Sequence, residues 1–287
     1  MENKFIHGKK IAIVCNIAAG KGRSSAVLKL LRQKLSDLSI ESVSFTETWP
    51  DNFQGFRDIW LIGGDGTLNY FINQYPNIDI PIALFKGGTG NDFAWKLYGD
   101  KSIEEYFEMA LNGKSKKVDI GICNGKYFIN GVGIGFDGVV TKSMGKTKIL
   151  PGYLSYLAVV LQKILFYREK MVEWVIDYKK RSEKIFMISI ANGSRYGGGF
   201  LVAPDAEIND GEFDIVIIKC ISSWKRFFYL PKVQKGKHMN SSFAEVFRGK
   251  KVLVCSDTPL FAHLDGELME AGRFEIEILS QALLFIY

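Results

Sequence analysis

Two glycine-rich turns, each placed directly after a short apolar run, constrain the fold of this chain more than any other feature. The first turn follows residues 58–62 and the second follows residues 81–85. Apolar runs of this length are typical of buried parallel strands, and residues 68–75 and 92–98 beyond the turns favour short helices. A strand that leads through glycines into a helix N-terminus presents free backbone N–H groups and the positive end of the helix dipole. The pattern therefore predicts an α/β sheet with an anion-binding edge.

The first turn contains an acidic residue, Asp65, within the segment 63–69. A carboxylate would repel a bound phosphate unless a divalent cation lay between them, as Mg²⁺ does when a nucleotide triphosphate carries it. Thr67 is expected either to cap the following helix or to bond a phosphate oxygen. The alternative is a pair of ordinary turns that use glycine only for tightness. Two such turns together, one of them with an acid, favour a phosphate site.

The stretch before the first turn predicts a βαβ unit that opens a parallel sheet. Residues 10–15 form a continuous apolar run, as expected of a buried strand. A loop containing Asn16 and Gly20 follows, and then an amphipathic helix, which a serine at position 24 or 25 would cap. A second strand ends at Thr46, and the segment after it is short for a helix. Asn16 and Gly20 therefore fall at the carboxyl edge of the first strand, where open α/β sheets bind ligands.

Short strands joined by turns replace the helical pattern from about residue 116. Asn124-Gly125 predicts a two-residue hairpin turn, and a charged turn is expected soon after residue 178. Many short strands in succession predict a mainly antiparallel sandwich. The expected strands are 117–123, 126–129, 170–178, 185–191, 213–220, 251–255, 273–279 and 283–287.

These patterns divide the chain into two domains. Residues 1–115 are predicted to form the α/β domain, whose last helix begins at a capping box of Ser102 and Glu105 and ends at Gly113. Residues 116–281 are predicted to form the all-β domain. A chain of 287 residues is long enough to bury two cores of this size.

Composition restricts the partners and the compartment. The net charge of +6 fits anionic partners such as nucleotides or acidic lipid head groups, but it is too weak to indicate nucleic acid. The four cysteines are scattered in apolar surroundings, so we expect buried thiols in a reducing compartment, and the histidines lack metal-ligand spacing. No secretory core follows Met1, and polar residues interrupt the apolar stretch 149–167. We therefore expect a cytoplasmic protein.

The two glycine motifs together resemble a known family. Gly63-Gly64-Asp65-Gly66-Thr67 and Gly88-Thr89-Gly90-Asn91-Asp92-Phe93-Ala94 are similar to motifs of the diacylglycerol kinase catalytic-domain family, soluble bacterial lipid kinases related to sphingosine and ceramide kinases. The first motif also resembles that of NAD kinases and phosphofructokinases, whereas the second is more specific to the lipid kinases. Later motifs follow in the family's order, so the resemblance covers roughly residues 9–280: 128–137, 192–199, 204–206, 209–211 and 263–267.

The resemblance implies a fold and a nucleotide site. The fold is an N-terminal open α/β sheet, similar to NAD kinases and phosphofructokinases, followed by a C-terminal β-sandwich, with the final strand at about 282–287 returning to the first domain. The cofactors implied are ATP and Mg²⁺, with Asp65 acting through the metal. Ile17 and Ala19 replace a proline and a serine of the family's first loop. The nucleotide-binding residues would be Asn16, Gly20, Thr46, Gly63, Gly64, Asp65, Gly66, Thr67, Leu68, Asn69 and Thr89.

The resemblance also assigns catalytic and metal residues near the carboxyl end. Glu267, in His263-Leu264-Asp265-Gly266-Glu267, would be the general base, while Asp265 would orient it, act through the metal or exchange roles with it. Without the other motifs this segment would be a plain Asp-Gly hairpin turn. Relatives hold a structural Mg²⁺ at an acidic turn that corresponds here to Asp210, with carbonyl groups near Glu207 and Glu212. A solvated acidic turn is the alternative.

Two stretches combine apolar or aromatic side chains with basic ones, which is typical of interfacial helices. Residues 153–167 follow Lys142, Lys146 and Lys148, and residues 224–229 precede further lysines. We expect at least one stretch to contact a membrane, so that the protein is peripheral at the inner membrane face. A core-packing helix with a charged back is the alternative for each.

Together these features predict an ATP- and Mg²⁺-dependent kinase that transfers the γ-phosphoryl group to a lipid hydroxyl, with diacylglycerol as the first candidate. The reaction would occur in a cleft between the two domains. One alternative is a kinase of a soluble substrate, similar to NAD kinase, and another is a nucleotide-binding membrane adaptor without catalysis. The sequence does not name the lipid, and it leaves the oligomeric state open, with a dimer as one option.

Overall fold

A computed structural model describes residues 10–144 and 153–287. The chain divides into two compact units. The first extends to Lys117 and also includes Leu283–Tyr287, and the second is Val118–Ala282. Within the described ranges, no helix combines the length and the apolar character needed to cross a bilayer.

The first unit is a parallel sheet with helical connections. Its strands lie in the order β2 (Ser42–Phe45), β1 (Lys10–Cys15), β3 (Phe56–Gly63) and β4 (Ile82–Lys86). The carboxyl end of the last strand of the chain pairs in parallel with β4 through Phe285 and Ile82. Strand residues such as Ile13 and Trp60 are fully buried, as expected where both faces of a parallel sheet are covered. The elements are β1 (Lys10–Cys15), a 3₁₀ turn (Ala19–Gly22), α1 (Arg23–Asp37), β2 (Ser42–Phe45), β3 (Phe56–Gly63), α2 (Asp65–Gln74), β4 (Ile82–Lys86), α3 (Asp92–Tyr98) and α4 (Ile103–Asn112).

The second unit is built from antiparallel strands, in agreement with the predicted β-sandwich. Trp174, Phe128, Phe213 and Phe274 are fully buried in its core. Three helices accompany the strands and share a second apolar cluster. The elements are β5 (Ser115–Cys123), β6 (Lys126–Phe128), β7 (Gly131–Gly135), α5 (Phe136–Met144), α6 (Tyr153–Ile164), β8 (Lys170–Ile176), β9 (Lys179–Ala191), β10 (Phe213–Lys219), α7 (Ser223–Gln234), β11 (Ala244–Gly249), β12 (Lys251–Leu264) and β13 (Glu267–Ile286).

Several local predictions are confirmed. The Ser102 side chain accepts the Glu105 N–H, and the Glu105 carboxylate accepts the Ser102 N–H, which completes the capping box. Asn124 and Gly125 have φ values of 48° and 81° between β5 and β6, as a type I′ turn requires. The capping box and the turn each depend only on residues that are close in sequence, so the local sequence is sufficient to predict them.

Other local predictions are wrong. The N-cap of α1 is Gly22, so neither Ser24 nor Ser25 caps it, and Ser24 is buried. The charged segment after residue 178 is the exposed first half of β9, because pairing with β8 supports a strand that is polar on both faces. The strands predicted at 273–279 and 283–287 are parts of the single strand β13. Lys146, Lys148 and the start of the apolar stretch 149–167 lie outside the described residues.

Candidate active site

The parallel register brings the carboxyl ends of three strands together in the first unit. Cys15 at the end of β1 pairs with Ile62 of β3, which in turn pairs with Phe85 of β4. The residue after β1, Asn16, donates a hydrogen bond from its side-chain amide to the Thr67 hydroxyl at 3.2 Å. The loop after β1 therefore contacts the helix that follows β3, at the edge where the sequence predicts a ligand.

The two glycine turns pack backbone against backbone at this edge. The Gly87 N–H donates to the Gly63 carbonyl oxygen at 2.8 Å. A Cβ atom placed on Gly64 would lie 2.8 Å from the Cα of Gly88, and one on Gly88 would overlap the Cα of Gly64. A Cβ on Gly20 would overlap the carbonyl oxygen of Gly87. Glycine is required here because any side chain would force the loops apart.

The N-terminus of α2 is available to a ligand. Its N-cap, Gly64, makes no side-chain capping bond, so the first-turn N–H groups of Asp65, Gly66 and Thr67 are not used inside the helix. The Asp65 carboxylate accepts the Phe93 N–H at 3.1 Å, which fixes its direction. Its other oxygen has no partner among the described residues. A carboxylate held through one oxygen fits a single contact to Mg²⁺ that is already bound by a nucleotide.

The second turn is held by its own asparagine. Asn91 has a left-handed backbone conformation, with φ of 52°. Its side chain accepts the Gly88 N–H and donates to the Gly88 carbonyl oxygen, both at 2.9 Å. Arg23 donates to the same carbonyl oxygen at 2.7 Å, a contact that no local sequence pattern indicates. These bonds stabilise the loop and leave Thr89 exposed at its tip.

Three residues of the predicted nucleotide site also have structural roles within α2. Thr67 lies inside the first turn of α2, so it is not the cap, and its hydroxyl accepts from Asn16. Leu68 donates its N–H to the Gly64 carbonyl oxygen, and its side chain is 3% exposed, so it packs in the core. Asn69 is buried in the same helix. By contrast, Thr46 is partly exposed directly after β2, at the carboxyl edge of the sheet.

A cavity of about 520 Å³ in the first unit lies away from these turns. Residues 51–56 and 74–80 line it. These segments precede β3 and β4, so the cavity is at the amino edge of the sheet, opposite to the glycine turns. It is therefore not the predicted nucleotide site.

In the second unit, Asp265 and Gly266 form the turn between β12 and β13, with φ values of 48° and 94°. The Asp265 carboxylate accepts the N–H groups of Ile129, Asn130 and Gly131 at 2.8–2.9 Å. These bonds use the carboxylate to anchor the hairpin, which corrects the expectation that Asp265 acts through a metal or serves as the base. Glu267 follows the anchored turn and is exposed at the start of β13.

We expect Asp265→Ala to lower the free energy of unfolding of the second unit by about 2–4 kcal/mol, because three backbone donors lose a charged acceptor. Calorimetry of the full chain would measure the change. Asp257→Ala is the matched control, since Asp257 is an exposed carboxylate on β12. Equal unfolding temperatures and enthalpies for the two variants would show that the three hydrogen bonds contribute little to stability.

A buried polar cluster lies beside this hairpin. The Tyr196 hydroxyl donates to the Asp137 carboxylate, and the His263 Nε2 atom is 4.0 Å from the same oxygen. Burial raises the pKa of Asp137 to about 6, although the bond from Tyr196 acts in the opposite direction. Burial lowers the pKa of His263 to about 4. The three residues are far apart in sequence, so no local pattern could have indicated the cluster.

These two shifts predict opposite effects of pH on stability. The contribution of Asp137 falls as pH rises from about 4 to 6, because the folded state retains a proton that the unfolded state releases. The contribution of His263 rises as pH rises from about 4 to 6.5, because the folded state excludes a proton that the unfolded state binds. Relative to the unmodified protein, the melting temperature of His263→Gln should therefore fall with rising pH, and that of Asp137→Asn should rise. If the melting temperatures of the unmodified protein and both variants changed with pH in parallel, this prediction would be contradicted.

Arg248 contacts the acidic turn at which a metal ion is predicted. Arg248 donates to the Asp210 carboxylate, and its Nε atom is 3.5 Å from a Glu212 carboxylate oxygen. In the antiparallel register of β10 and β11, Arg248 lies opposite Asp214. This position brings the Arg248 side chain to the turn. Glu207 is exposed. No group of three His, Cys, Asp or Glu side chains in residues 10–144 and 153–287 could hold a metal ion. The predicted set uses the Asp210 carboxylate and backbone carbonyl groups, so this metal site stays a prediction.

Two domain profiles together match nearly the whole chain. The profile of the diacylglycerol kinase catalytic domain matches residues 10–123, and that of the YegS C-terminal NAD kinase beta sandwich-like domain matches residues 130–287. A protein of Shewanella frigidimarina named "Probable lipid kinase YegS-like" is 31% identical over 230 residues, which cover 78% of this chain and 74% of that protein. A diacylglycerol kinase of Bacillus subtilis is 27% identical, with 93% of each chain covered.

Solved structures agree on the fold. A crystal structure of a diacylglycerol kinase from Bacillus anthracis superimposes with a TM-score of 0.73 at 19% identity and covers 100% of this chain and 98% of that one. An NAD kinase from Archaeoglobus fulgidus in complex with ATP gives a TM-score of 0.56 at 14% identity, with 97% and 93% covered. The two units thus have the fold of these diacylglycerol kinase and NAD kinase structures. The chain belongs to the diacylglycerol kinase catalytic-domain family of YegS-like lipid kinases.

Proposed function

We propose that the protein transfers the γ-phosphoryl group of ATP to a lipid hydroxyl, with diacylglycerol as the acceptor. The observation that carries this proposal is the contact between the two glycine turns beside the uncapped N-terminus of α2. Backbone N–H groups at a helix N-terminus bind phosphate well, and this kind of site holds nucleotide phosphates in other folds. The name of the Bacillus subtilis relative favours diacylglycerol as the acceptor.

Named residues of the first unit would position the nucleotide. The N–H groups of residues 65–67 would donate to phosphate oxygens, and Thr89 at the tip of the second turn would contact the same group. Mg²⁺ bound with the nucleotide would neutralise the charge on the phosphates. Asp65, oriented by the Phe93 N–H, would hold that ion through its second oxygen. The ATP complex of the NAD kinase with this fold favours ATP as the phosphoryl donor.

Glu267 would accept the proton of the lipid hydroxyl as it attacks the γ-phosphorus. A general base must be exposed to the substrate and held in one place. Glu267 is exposed, and the three hydrogen bonds of the adjacent Asp265 hold its hairpin. In the attack the new O–P bond forms, the bond from the γ-phosphorus to the bridging oxygen breaks, and ADP leaves.

Labelled ATP with a panel of acceptors would test this function. The panel contains diacylglycerol, phosphatidylglycerol, a polyprenol, a sphingoid base and NAD. We expect label in the organic phase with diacylglycerol, and only when Mg²⁺ is present. Label in the aqueous phase with NAD would instead support a soluble-substrate kinase. ATP binding without transfer to any acceptor would support a non-catalytic adaptor.

A further inference from the structure

Helix α6 exposes large apolar side chains in addition to those that it buries. Val159, Val160 and Ile164 face the interior and are buried. Leu154 and Leu161 are exposed on the other face, and Phe166, just beyond the helix, is 81% exposed. A helix at the surface of a globular protein normally has a polar outer face. The outer face of α6 is therefore not explained by packing within the second unit.

Helix α7 presents aromatic and basic side chains together. Trp224 and Phe228 are 62% and 70% exposed, and their rings contact each other edge to face at 6.1 Å between centroids. Lys225 and Lys232 are exposed beside them, and the Lys225 Nζ atom lies 5.6 Å from the Trp224 ring. In the described part of the chain neither lysine forms an ion pair. Aromatic rings flanked by lysines are typical of helices that bind at the interface of a bilayer.

The two helices form one continuous surface. Arg226 of α7 donates hydrogen bonds to the carbonyl oxygens of Ile164, at the end of α6, and of Tyr167. Both helices also line the same apolar cavity, of about 60 Å³, which Asp137 borders. Their outer faces therefore belong to one layer of the second unit. We call the exposed side chains of this layer the α6–α7 surface: Leu154, Leu161, Leu165, Phe166, Trp224, Lys225, Phe228, Lys232 and Lys235.

The chain segments around this surface are basic, and Glu169, which directly follows the first of them, is paired with Arg226 of α7. The segments 138–168 and 215–244, which contain the two helices, hold no aspartate or glutamate. An even distribution of the 31 acidic residues of the chain would place about seven there. The same segments contain basic residues throughout. Because carboxylates would be repelled by anionic lipid head groups, their absence matches an anionic bilayer.

We propose that the α6–α7 surface docks on an anionic lipid bilayer, with Trp224, Phe228 and Phe166 inserted at the interface and the lysines on the head groups. This inference rests on the proposed function for its purpose, since a lipid kinase must reach an acceptor held in a membrane. Docking also places the outer wall of the apolar cavity against the bilayer. A lipid chain that leaves the membrane between α6 and α7 would meet that cavity first.

Vesicle sedimentation of the full chain, without ATP, tests the proposal. The probes are vesicles of phosphatidylcholine and of an equal mixture with phosphatidylglycerol. We expect binding to the mixture only, weakened by added salt. Trp224→Ser with Phe228→Ser should lower the partition coefficient at least about tenfold, as should Lys225→Glu with Lys232→Glu. Lys126→Glu with Lys250→Glu, exposed lysines at strand turns of the second unit, makes the same change in net charge and should have little effect.

Several outcomes would overturn the proposal. These are no binding of the unmodified protein to the mixed vesicles, equal binding to both vesicles, and equal losses for the surface variants and the control. A further one is self-association of the chain through Trp224 and Phe228, detected by sedimentation velocity, in place of vesicle binding. The test does not depend on phosphoryl transfer, so vesicle binding by a protein that transfers no phosphate would refute the proposed function and leave the docking surface standing.

Discussion

Glu267→Gln is expected to lower turnover on a lipid acceptor by about 10²–10⁴-fold, because glutamine cannot accept the hydroxyl proton. The substitution keeps the size of the side chain at an exposed position, so the hairpin held by Asp265 should remain folded. ATP affinity should also be preserved, since the glycine turns belong to the other unit. Steady-state kinetics with diacylglycerol, together with equilibrium ATP binding, would separate the two effects.

Glu270→Gln is the matched control for this prediction. Glu270 is an exposed glutamate on the same strand, three residues further along. We expect it to retain normal turnover. Near-normal turnover of Glu267→Gln would remove Glu267 as the base, and a loss of turnover accompanied by a lower melting temperature would assign it a structural role instead.

Gly88→Ala is expected to lower turnover more than about 100-fold and to weaken ATP binding, because a displacement of about 1 Å at a positioning loop has effects of this size. The added Cβ atom would overlap the Cα of Gly64, so the two turns must separate. Separation moves the N-terminus of α2 relative to the second turn. The overlap should also destabilise the first unit by about 1–3 kcal/mol.

Gly272→Ala is the control for this substitution. A Cβ atom at Gly272 would make an ordinary contact of 3.4 Å with the Ser256 carbonyl oxygen. Its turnover and ATP affinity should match those of the unmodified protein. If Gly88→Ala binds ATP normally and remains active, the close approach of the two turns is not what makes the nucleotide site.

Features that depend on neighbouring residues could be predicted from the sequence. The glycine turns follow buried strands, helix α3 covers the predicted residues 92–98, and the Asp265-Gly266 turn joins two strands. Each follows from local preferences, such as the need for positive φ in a two-residue hairpin. The start of α2 was harder to predict, because Gly64 is its N-cap and Thr67, for which a cap or a bond to a phosphate oxygen was expected, lies inside the first turn.

Contacts between distant parts of the chain could not be predicted in this way. Asp265 was expected to take part in chemistry, but its acceptor oxygens are used by the N–H groups of residues 129–131, which approach it only in the folded sheet. Arg248 neutralises the acidic turn at Asp210 because β11 pairs with β10. A local pattern shows which groups are charged but not which partner will reach them.

The sequence by itself determined the family, the two fold classes and the places where phosphate and a base are expected, because strand length, glycine position and turn chemistry are local properties. Only the tertiary structure decided which of those groups are free to act. It left the first-turn N–H groups of α2 without partners inside the helix and the Glu267 side chain exposed, and it used Asp265 and Leu68 for support. The reason is physical: a polar group is available to a ligand only if folding has not already given it a partner or buried it.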